Sequence, residues 1–190
     1  MPSLAPVKPK PSSVVALTLI WKWLFNSQYG LVNNFLGLFG IDGPDWLGDP
    51  VWTKRMIVIM ISWKMIGIIS IYYIAALKNV PSTYYEAAQL DGATSWQQFR
   101  KITLPMLSPT MFMVTILSII NSFQVFDLVN IMTQGGPGRS TNVLVYRIYQ
   151  EGFQKLQFGY ASAMAYFLFI IIMVITLIQF RGQKKWVNYM

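Results

Sequence analysis

The sequence predicts an all-helical protein that crosses a membrane several times. Its 190 residues are 54% hydrophobic and only 12% charged, which is about half of the charged fraction that a soluble domain usually carries. Three segments, residues 56–77, 106–126 and 158–180, are almost uninterrupted apolar runs. A helix needs about 20 apolar residues to cross the hydrocarbon core of a bilayer, and each run reaches that length. The alternative, a soluble core that buries three such helices, is disfavoured in so short a chain.

The first apolar segment, residues 13–25, is shorter than the other three and is interrupted by Lys22. A cleaved signal peptide is one interpretation of such a segment. However, no small-residue cleavage site follows it, and Trp21, Trp23 and Phe25 are typical of an aromatic belt at a membrane surface. We therefore expect a shortened or tilted helix, so that the chain has three to four spans.

The regions outside the apolar runs are assigned by composition. Residues 1–12 are rich in Pro, Lys and Ser and are predicted to be a disordered tail. Residues 13–181 form the predicted membrane domain, and residues 182–190 form a basic tail that favours a cytoplasmic C-terminus. Within the membrane domain we expect an interfacial or re-entrant helix, a Gly- and Pro-rich loop and a short amphipathic helix, at residues 29–41, 42–50 and 143–153.

The residue types present also exclude several classes of site. The chain has no Cys and no His, so thiolate metal sites and catalysis by His are ruled out, and no cofactor or metal is expected. The formal net charge is +8, which is compatible with nucleic-acid binding. The basic residues stand mostly at the ends of apolar runs, however, and that placement is typical of a membrane protein instead.

The polar segment between the first two long runs, residues 78–105, has the pattern of two helices joined by a glycine. Thr83 and Glu86 have the spacing of a capping box, which predicts a helix start, and Gly92 is suited to a left-handed helix end. Ser95 and Gln98 repeat the capping-box spacing. We expect a helix, a glycine bend and a second helix limited by Pro105. Small side chains in this segment would let another protein approach closely; they are Ala87, Ala88 and Ala93.

The same segment carries a specific resemblance. Glu86-Ala-Ala, then Asp91-Gly92-Ala93, are followed by Phe99, Ile102, Leu104-Pro105 and Pro109. This pattern resembles the EAA motif of binding-protein-dependent import permeases. The resemblance implies a type I ABC importer permease fold in a prokaryotic cell (inner) membrane, and a loop that docks onto a cytoplasmic ATPase subunit. The coupling residues that it implies are Glu86, Ala87, Ala88, Asp91 and Gly92. The alternative is a generic amphipathic connector between two spans.

A second pattern narrows the resemblance to one class of import permease. It consists of Phe126-Asp127, Thr133-Gln-Gly-Gly-Pro137, Thr141, Tyr146, Tyr149 and Phe153. Together these residues resemble the outer loop of sugar permeases of the maltose and glycerol-phosphate types. The resemblance implies a sugar or sugar-phosphate solute, a second permease subunit and an extracytoplasmic solute-binding protein as partners.

The resemblance also implies residues along the solute path. These are Lys64, Met65 and Ile68 in the first long run, and Ser118, Ser122 and Val125 in the second. Spacings of three and four residues put each set on one helical face. Lys64 has the alternative of snorkelling or of an intramembrane hydrogen bond. Asn121 and Gln124 flank the second set and either contact sugar hydroxyls or form interhelical hydrogen bonds.

These observations favour a transport subunit over other functions. A membrane enzyme would need a cluster of ionisable groups within the spans, and only Lys64 stands there. The run Gly135–Thr141 looks like a phosphate-binding loop, but its first required Gly falls at Thr133 and its Lys is replaced by Arg139. ATP hydrolysis is therefore expected in a partner subunit. A truncated or assembly-only remnant is the remaining alternative, because family members have further spans before this point.

Overall fold

Helices make up the fold, and no strand occurs within residues 14–183. The computed structural model describes residues 14–183 and residue 187, so the predicted tail at residues 1–12 and most of that at residues 182–190 lie outside the described residues. The α-helices are α1 Val14–Leu24, α2 Leu31–Gly37, α3 Pro50–Lys78, α4 Ser82–Leu90, α5 Ser95–Gln98, α6 Leu104–Phe123, α7 Asp127–Met132, α8 Leu144–Tyr149 and α9 Phe158–Gln183. Two π-helical turns, Phe99–Thr103 and Gln150–Gln154, follow α5 and α8.

The three predicted spans are confirmed by α3, α6 and α9. Among the described residues, these three helical regions are long and apolar enough to cross a membrane, and few of their residues are buried. The first of them begins earlier than predicted. Asp49 accepts hydrogen bonds at Oδ1 from the amides of Val51 and Trp52, at 2.8 and 2.9 Å, and Pro50 stands at the first helical position. Both features favour a helix start there. Helix α1 has only 11 residues, so the expectation of a shortened helix is confirmed.

Among the described residues, one compact unit contains residues 14–57 together with Phe126–Val143. In this unit α1 packs against α7, and Thr18 is fully buried, donating from Oγ1 to the carbonyl of Val14 at 2.6 Å. An aromatic row runs through the unit, with ring centroids 5.0–5.5 Å apart. Its members are Trp21, Phe25, Trp46 and Trp52.

The second compact unit contains Val58–Val125 and residues 144–183. In this unit α6 packs against α9, and the rings of Phe112 and Phe180 meet edge to face at 5.3 Å. Helix α8 and the turn after it also pack against α9. Gly152 lies in this contact, where an added Cβ would stand 3.2 Å from that of Ala161. The predicted short helix at residues 143–153 is confirmed as α8 with its π-helical turn.

Candidate functional site

The 78–105 loop contains the predicted bend at Gly92. Its first helix, α4, ends in a Schellman arrangement: the amide of Gly92 donates to Gln89 at 3.0 Å, and that of Ala93 donates to Ala88 at 2.9 Å. Gly92 has φ +73°, which is the left-handed region that side chains with a Cβ disfavour. The predicted left-handed glycine is therefore confirmed.

Both predicted capping boxes in this loop are wrong. Helix α4 starts at Ser82 after an extended Pro81, and no side-chain hydrogen bond caps it. Thr83 therefore already stands inside the first turn. The second box occurs one residue before Ser95, at Thr94, because the left-handed Gly92 leaves Thr94 extended. Thr94 Oγ1 accepts from the amide of Gln97 at 3.4 Å, and Gln97 Oε1 accepts from the amide of Thr94 at 2.8 Å.

The bend between α4 and α5 encloses a hollow of about 430 Å³. Its lining includes three of the five predicted coupling residues, Ala88, Asp91 and Gly92, together with Gln97 and Lys101. The other two, Glu86 and Ala87, are exposed on α4 and do not line the hollow in the described part of the chain. The hollow has both polar and apolar lining residues, and exposed apolar side chains stand around the bend. These are Tyr84, Leu90 and Trp96.

The loop is tied to the second span by a contact that the sequence patterns do not show. Tyr85 Oη and Thr103 Oγ1 are 2.9 Å apart, and Thr103 is buried in the π-helical turn that precedes α6. The rings of Trp96 and Phe99 also stack, with centroids 5.6 Å apart. The bend at Gly92 lies between Tyr85 and Thr103 in the sequence, so periodicity within one helix could not have paired them.

A second hollow lies on the membrane spans and gathers four of the six predicted solute-path residues. Lys64, Met65 and Ile68 from α3 and Ser118 from α6 line a cleft of about 260 Å³. Tyr72 and Asn121 also line it. A cation, hydroxyls and an amide thus meet in an otherwise apolar surface. Such groups can bind the hydroxyls and any anionic group of a carbohydrate.

The remaining two predicted path residues do not belong to the cleft. Among the described residues, Ser122 and Val125 do not line it. Val125 lies beyond the end of α6 at Phe123, where Gln124 has φ −105° and ψ 27°. Helical spacing therefore does not extend to it. Ser122 is exposed, and its hydroxyl donates to the carbonyl of Ile119 at 2.7 Å.

Residues 133–141, part of the second pattern, form a tight loop after α7. The hydroxyls of Thr133 and Thr141 are 2.8 Å apart, and Thr141 Oγ1 donates to the carbonyl of Gly136 at 2.7 Å. Four residues here have positive φ; they are Gln134, Gly135, Gly138 and Arg139. The segment follows a helix, whereas a nucleotide phosphate-binding loop follows a strand.

A buried carboxylate that the sequence patterns did not single out stands at the α8–α9 junction. Glu151 has a side chain only 7% exposed, and its Oε1 accepts from Lys155 Nζ at 2.8 Å and lies 3.9 Å from Arg147 Nε. The rings of Tyr149 and Phe153 stack beside it, 5.7 Å apart. The spacing of four residues between each cation and Glu151 is a signal that could have found this group.

Comparison with known proteins decides the family. The family described as "Binding-protein-dependent transport system inner membrane component" matches residues 2–185. The chain belongs to this family. It is therefore an inner-membrane transport component, and the predicted fold class and multi-pass membrane location are confirmed.

Several relatives of this inner-membrane component are named for sugars or sugar derivatives. The lactose transport system permease protein LacF of Rhizobium radiobacter is 40% identical over 93% of this chain and 61% of its own length. The sulfoquinovosyl glycerol transport system permease protein SmoG of Agrobacterium fabrum is 37% identical over 86% of this chain and 53% of its own. The sn-glycerol-3-phosphate transport system permease protein UgpA of Pectobacterium atrosepticum is 34% identical over 90% of this chain and 58% of its own length. The component thus spans 53% to 61% of the length of these three relatives.

The fold of this inner-membrane component also matches solved structures. A crystal structure of a bacterial ABC transporter that imports the acidic polysaccharide alginate superimposes with a TM-score of 0.83 and 28% identity, over 93% of this chain and 62% of that one. A second structure shows the bacterial alginate transporter in complex with a periplasmic protein bound to an alginate pentasaccharide. It superimposes with a TM-score of 0.79 and 29% identity, over 88% of this chain and 59% of that one.

Proposed function

We propose that the chain is part of the permease subunit of an ATP-driven importer for a carbohydrate or carbohydrate-like solute. The observation that carries this proposal is the cleft lined by Lys64, Tyr72, Ser118 and Asn121 on two membrane-spanning helices. Polar groups on a lipid-facing helix are costly, and they are usually kept for a solute path or a partner. Because the chain belongs to a family of transport components, we propose that these groups act in transport.

The solute class follows from the chemistry of the cleft. Hydroxyl and amide side chains exchange hydrogen bonds with sugar hydroxyls, and the apolar lining from Met65 and Ile68 suits the carbon face of a sugar ring. Relatives are named for lactose, for sn-glycerol-3-phosphate and for trehalose and maltose. We include Ser122 and Val125 as candidate contacts further along the path, outside the cleft itself.

The energy source is proposed to be a separate ATPase that docks on the 78–105 loop. Glu86, Ala87, Ala88, Asp91 and Gly92 would form the contact. Three properties support this assignment: the bend is formed by a left-handed Gly92, exposed Leu90 and Trp96 stand around it, and Tyr85 bonds the turn before the second span. A displacement of α4 can therefore be transmitted to α6 through this side-chain contact as well as along the backbone.

The other proposed partners are a second permease subunit and an extracytoplasmic solute-binding protein. The side chains of α9 are largely exposed along its length, which leaves surface for lipid and for a neighbouring permease. The related alginate transporter has been solved with a periplasmic protein carrying its oligosaccharide, and we propose an equivalent arrangement here.

The test is a pull-down followed by transport assays. The intact importer, purified through a tag on this subunit and reconstituted in vesicles, should bring down an ATPase and hydrolyse ATP faster when a loaded sugar-binding protein is added. Uptake of a labelled sugar by cells should require the subunit. Failure to retain any ATPase would overturn the proposal, whereas ATPase retention without uptake would favour an assembly-only role.

A further inference from the structure

The short helix α2 presents an apolar face that the described residues of its own compact unit leave exposed. Leu31, Phe35 and Leu38 follow one another at helical spacing, and they are 51%, 62% and 81% exposed. Phe39, 68% exposed, extends this face, and its ring meets that of Phe35 edge to face at 5.2 Å. Contiguous large apolar side chains of this kind mark a surface that binds something apolar.

The opposite side of α2 is fixed to the protein by one side chain. Asn33 Nδ2 donates to the carbonyls of Ser27 and Pro44 at 3.1 and 3.3 Å, and its Oδ1 accepts from Trp46 Nε1 at 2.6 Å. Gly43 lies so close to the Asn33 amide that a Cβ at Gly43 would collide with it. These bonds set the rotation of α2, so its apolar face points away from the segment that holds it.

The same hydrogen bonds connect α2 to an aromatic and cationic group. Trp46 stands in the row with Phe25 and Trp52, and Arg55 lies over the Trp52 ring at 4.9 Å from its centroid. Tryptophan and arginine together are typical of the level of the lipid headgroups. Arg55 belongs to the first turns of α3. Helix α2 is therefore held beside the end of a membrane span, at the depth where water gives way to acyl chains.

Charge distribution favours lipid over a soluble partner for this face. No charged residue stands between Lys22 and Asp42, and protein docking surfaces of ordinary size have a polar rim. A re-entrant path is disfavoured, because irregular backbone flanks α2 on both sides and cannot lie exposed in the hydrocarbon core. An amphipathic helix parallel to the surface satisfies both constraints.

We propose that α2 is an in-plane anchor, lying in the membrane–water interface of the leaflet at the N-terminal end of α3, with Leu31, Phe35 and Leu38 among the acyl chains. This anchor would fix the depth of the 26–49 segment. The proposal concerns lipid contact and holds whatever solute the importer carries.

The test uses single cysteines, because the native chain has none. Phe35→Cys and Leu38→Cys, each carrying an environment-sensitive fluorophore, are placed in the complete importer in phosphatidylcholine–phosphatidylglycerol vesicles. Asp42→Cys is the matched control just beyond the apolar face. Leu38 is the more exposed probe, so its replacement tests the proposal even if Phe35→Cys disturbs the Phe39 contact. Quenching is measured with aqueous iodide and with lipids that carry a nitroxide at a shallow acyl position.

We expect labels at residues 35 and 38 to be quenched by the nitroxide lipid and shielded from iodide, at a depth of about 5–10 Å into the headgroup–acyl boundary. The label at residue 42 should show the reverse. Quenching of both probes by iodide alone would overturn the proposal. Shielding from both quenchers would also overturn it, since a protein surface would then cover the face. Shielding from iodide only after a solute-binding protein is added would overturn it in favour of a docking surface.

Discussion

Tyr85 Oη and Thr103 Oγ1 lie 2.9 Å apart and join α4 to the turn that starts the second span. Thr103 is buried and Tyr85 is half-buried, so the bond is partly shielded from water. Its importance is mechanical. The contact joins α4 directly to the start of α6, in addition to the chain connection through α5, so a displacement of α4 can be transmitted across it.

Tyr85→Phe should therefore weaken coupling without preventing ATPase binding. Loss of the hydrogen bond costs about 1 kcal/mol, and α4 would then move with less effect on α6. We expect normal pull-down of the ATPase and reduced ATP hydrolysis in response to the loaded binding protein. Thr103→Val is the matched partner variant. The double variant should be no worse than either single one, because both remove the same bond. Additive losses would contradict the prediction.

Gly92→Val should impair ATPase docking by straining the backbone. Apart from Gly92 and its two chain neighbours, no atom of the described residues lies within 4 Å of the position that a Cβ would take, so the strain comes from the backbone conformation. The left-handed φ costs a non-glycine residue about 1 kcal/mol or more, and a β-branched residue most. Gly92→Asn is the control, since Asn tolerates this conformation. Pull-down should rank glycine, asparagine, alanine and valine from strongest to weakest. Equal binding of the ATPase by all four variants would show that the conformation of the bend does not matter for docking.

Glu86→Ala should reduce ATPase binding and leave the stability of the permease unchanged. No capping hydrogen bond involves Glu86, so its removal does not weaken α4, and the side chain is exposed. Any loss of ATPase binding must then come from the loss of a contact between Glu86 and the ATPase. Titrated pull-down at two salt concentrations measures this, with Glu86→Gln as the control that removes the charge alone. A fall in thermal stability of the isolated permease would contradict this interpretation.

Ser118→Leu should reduce solute uptake more than Ser122→Leu does. Ser118 lines the cleft with Lys64 and Asn121, whereas Ser122 lies outside it and bonds its own helix. Each lost hydrogen bond to a sugar hydroxyl would cost about 1 kcal/mol. The measurement is the KM for uptake at matched subunit levels in the membrane. A larger effect of the Ser122 variant on KM would show that the solute path does not run through the cleft.

Glu151→Gln should lower the Tm of the permease. The carboxylate is buried and accepts from Lys155, and the amide would keep the shape but lose the charge. Because Lys155 is itself half exposed, solvent screening limits the loss to about 1 kcal/mol. Lys155→Gln should destabilise more than Arg147→Gln, since the Arg147 contact is longer at 3.9 Å. Thermal unfolding of the purified complex in detergent checks the order, and a reversed ranking would refute this account.

The sequence was sufficient for features that depend on local composition. The three long apolar runs predicted the spans, and Gly92 predicted the left-handed bend, because span length and positive φ are properties of one segment. The first predicted capping box does not form, and the second forms one position earlier, at Thr94. The extended backbone at Pro81 and the left-handed Gly92 set where each helix starts, and the spacing of the candidate residues does not.

The coupling and solute-path residues were assigned by resemblance, and their roles stay predictions. The sequence by itself determined that this chain is a helical membrane component of an importer family. The length of an apolar run and the motif at residues 86–93 are both properties of continuous segments, so they are visible without the fold. Only the tertiary structure decided that Lys64 and Ser118 share a cleft that excludes Val125, that Tyr85 bonds Thr103, and that Asn33 turns α2 outward. Each of these depends on where a helix ends or on a contact between distant residues, and neither is encoded in the spacing of side chains within one segment.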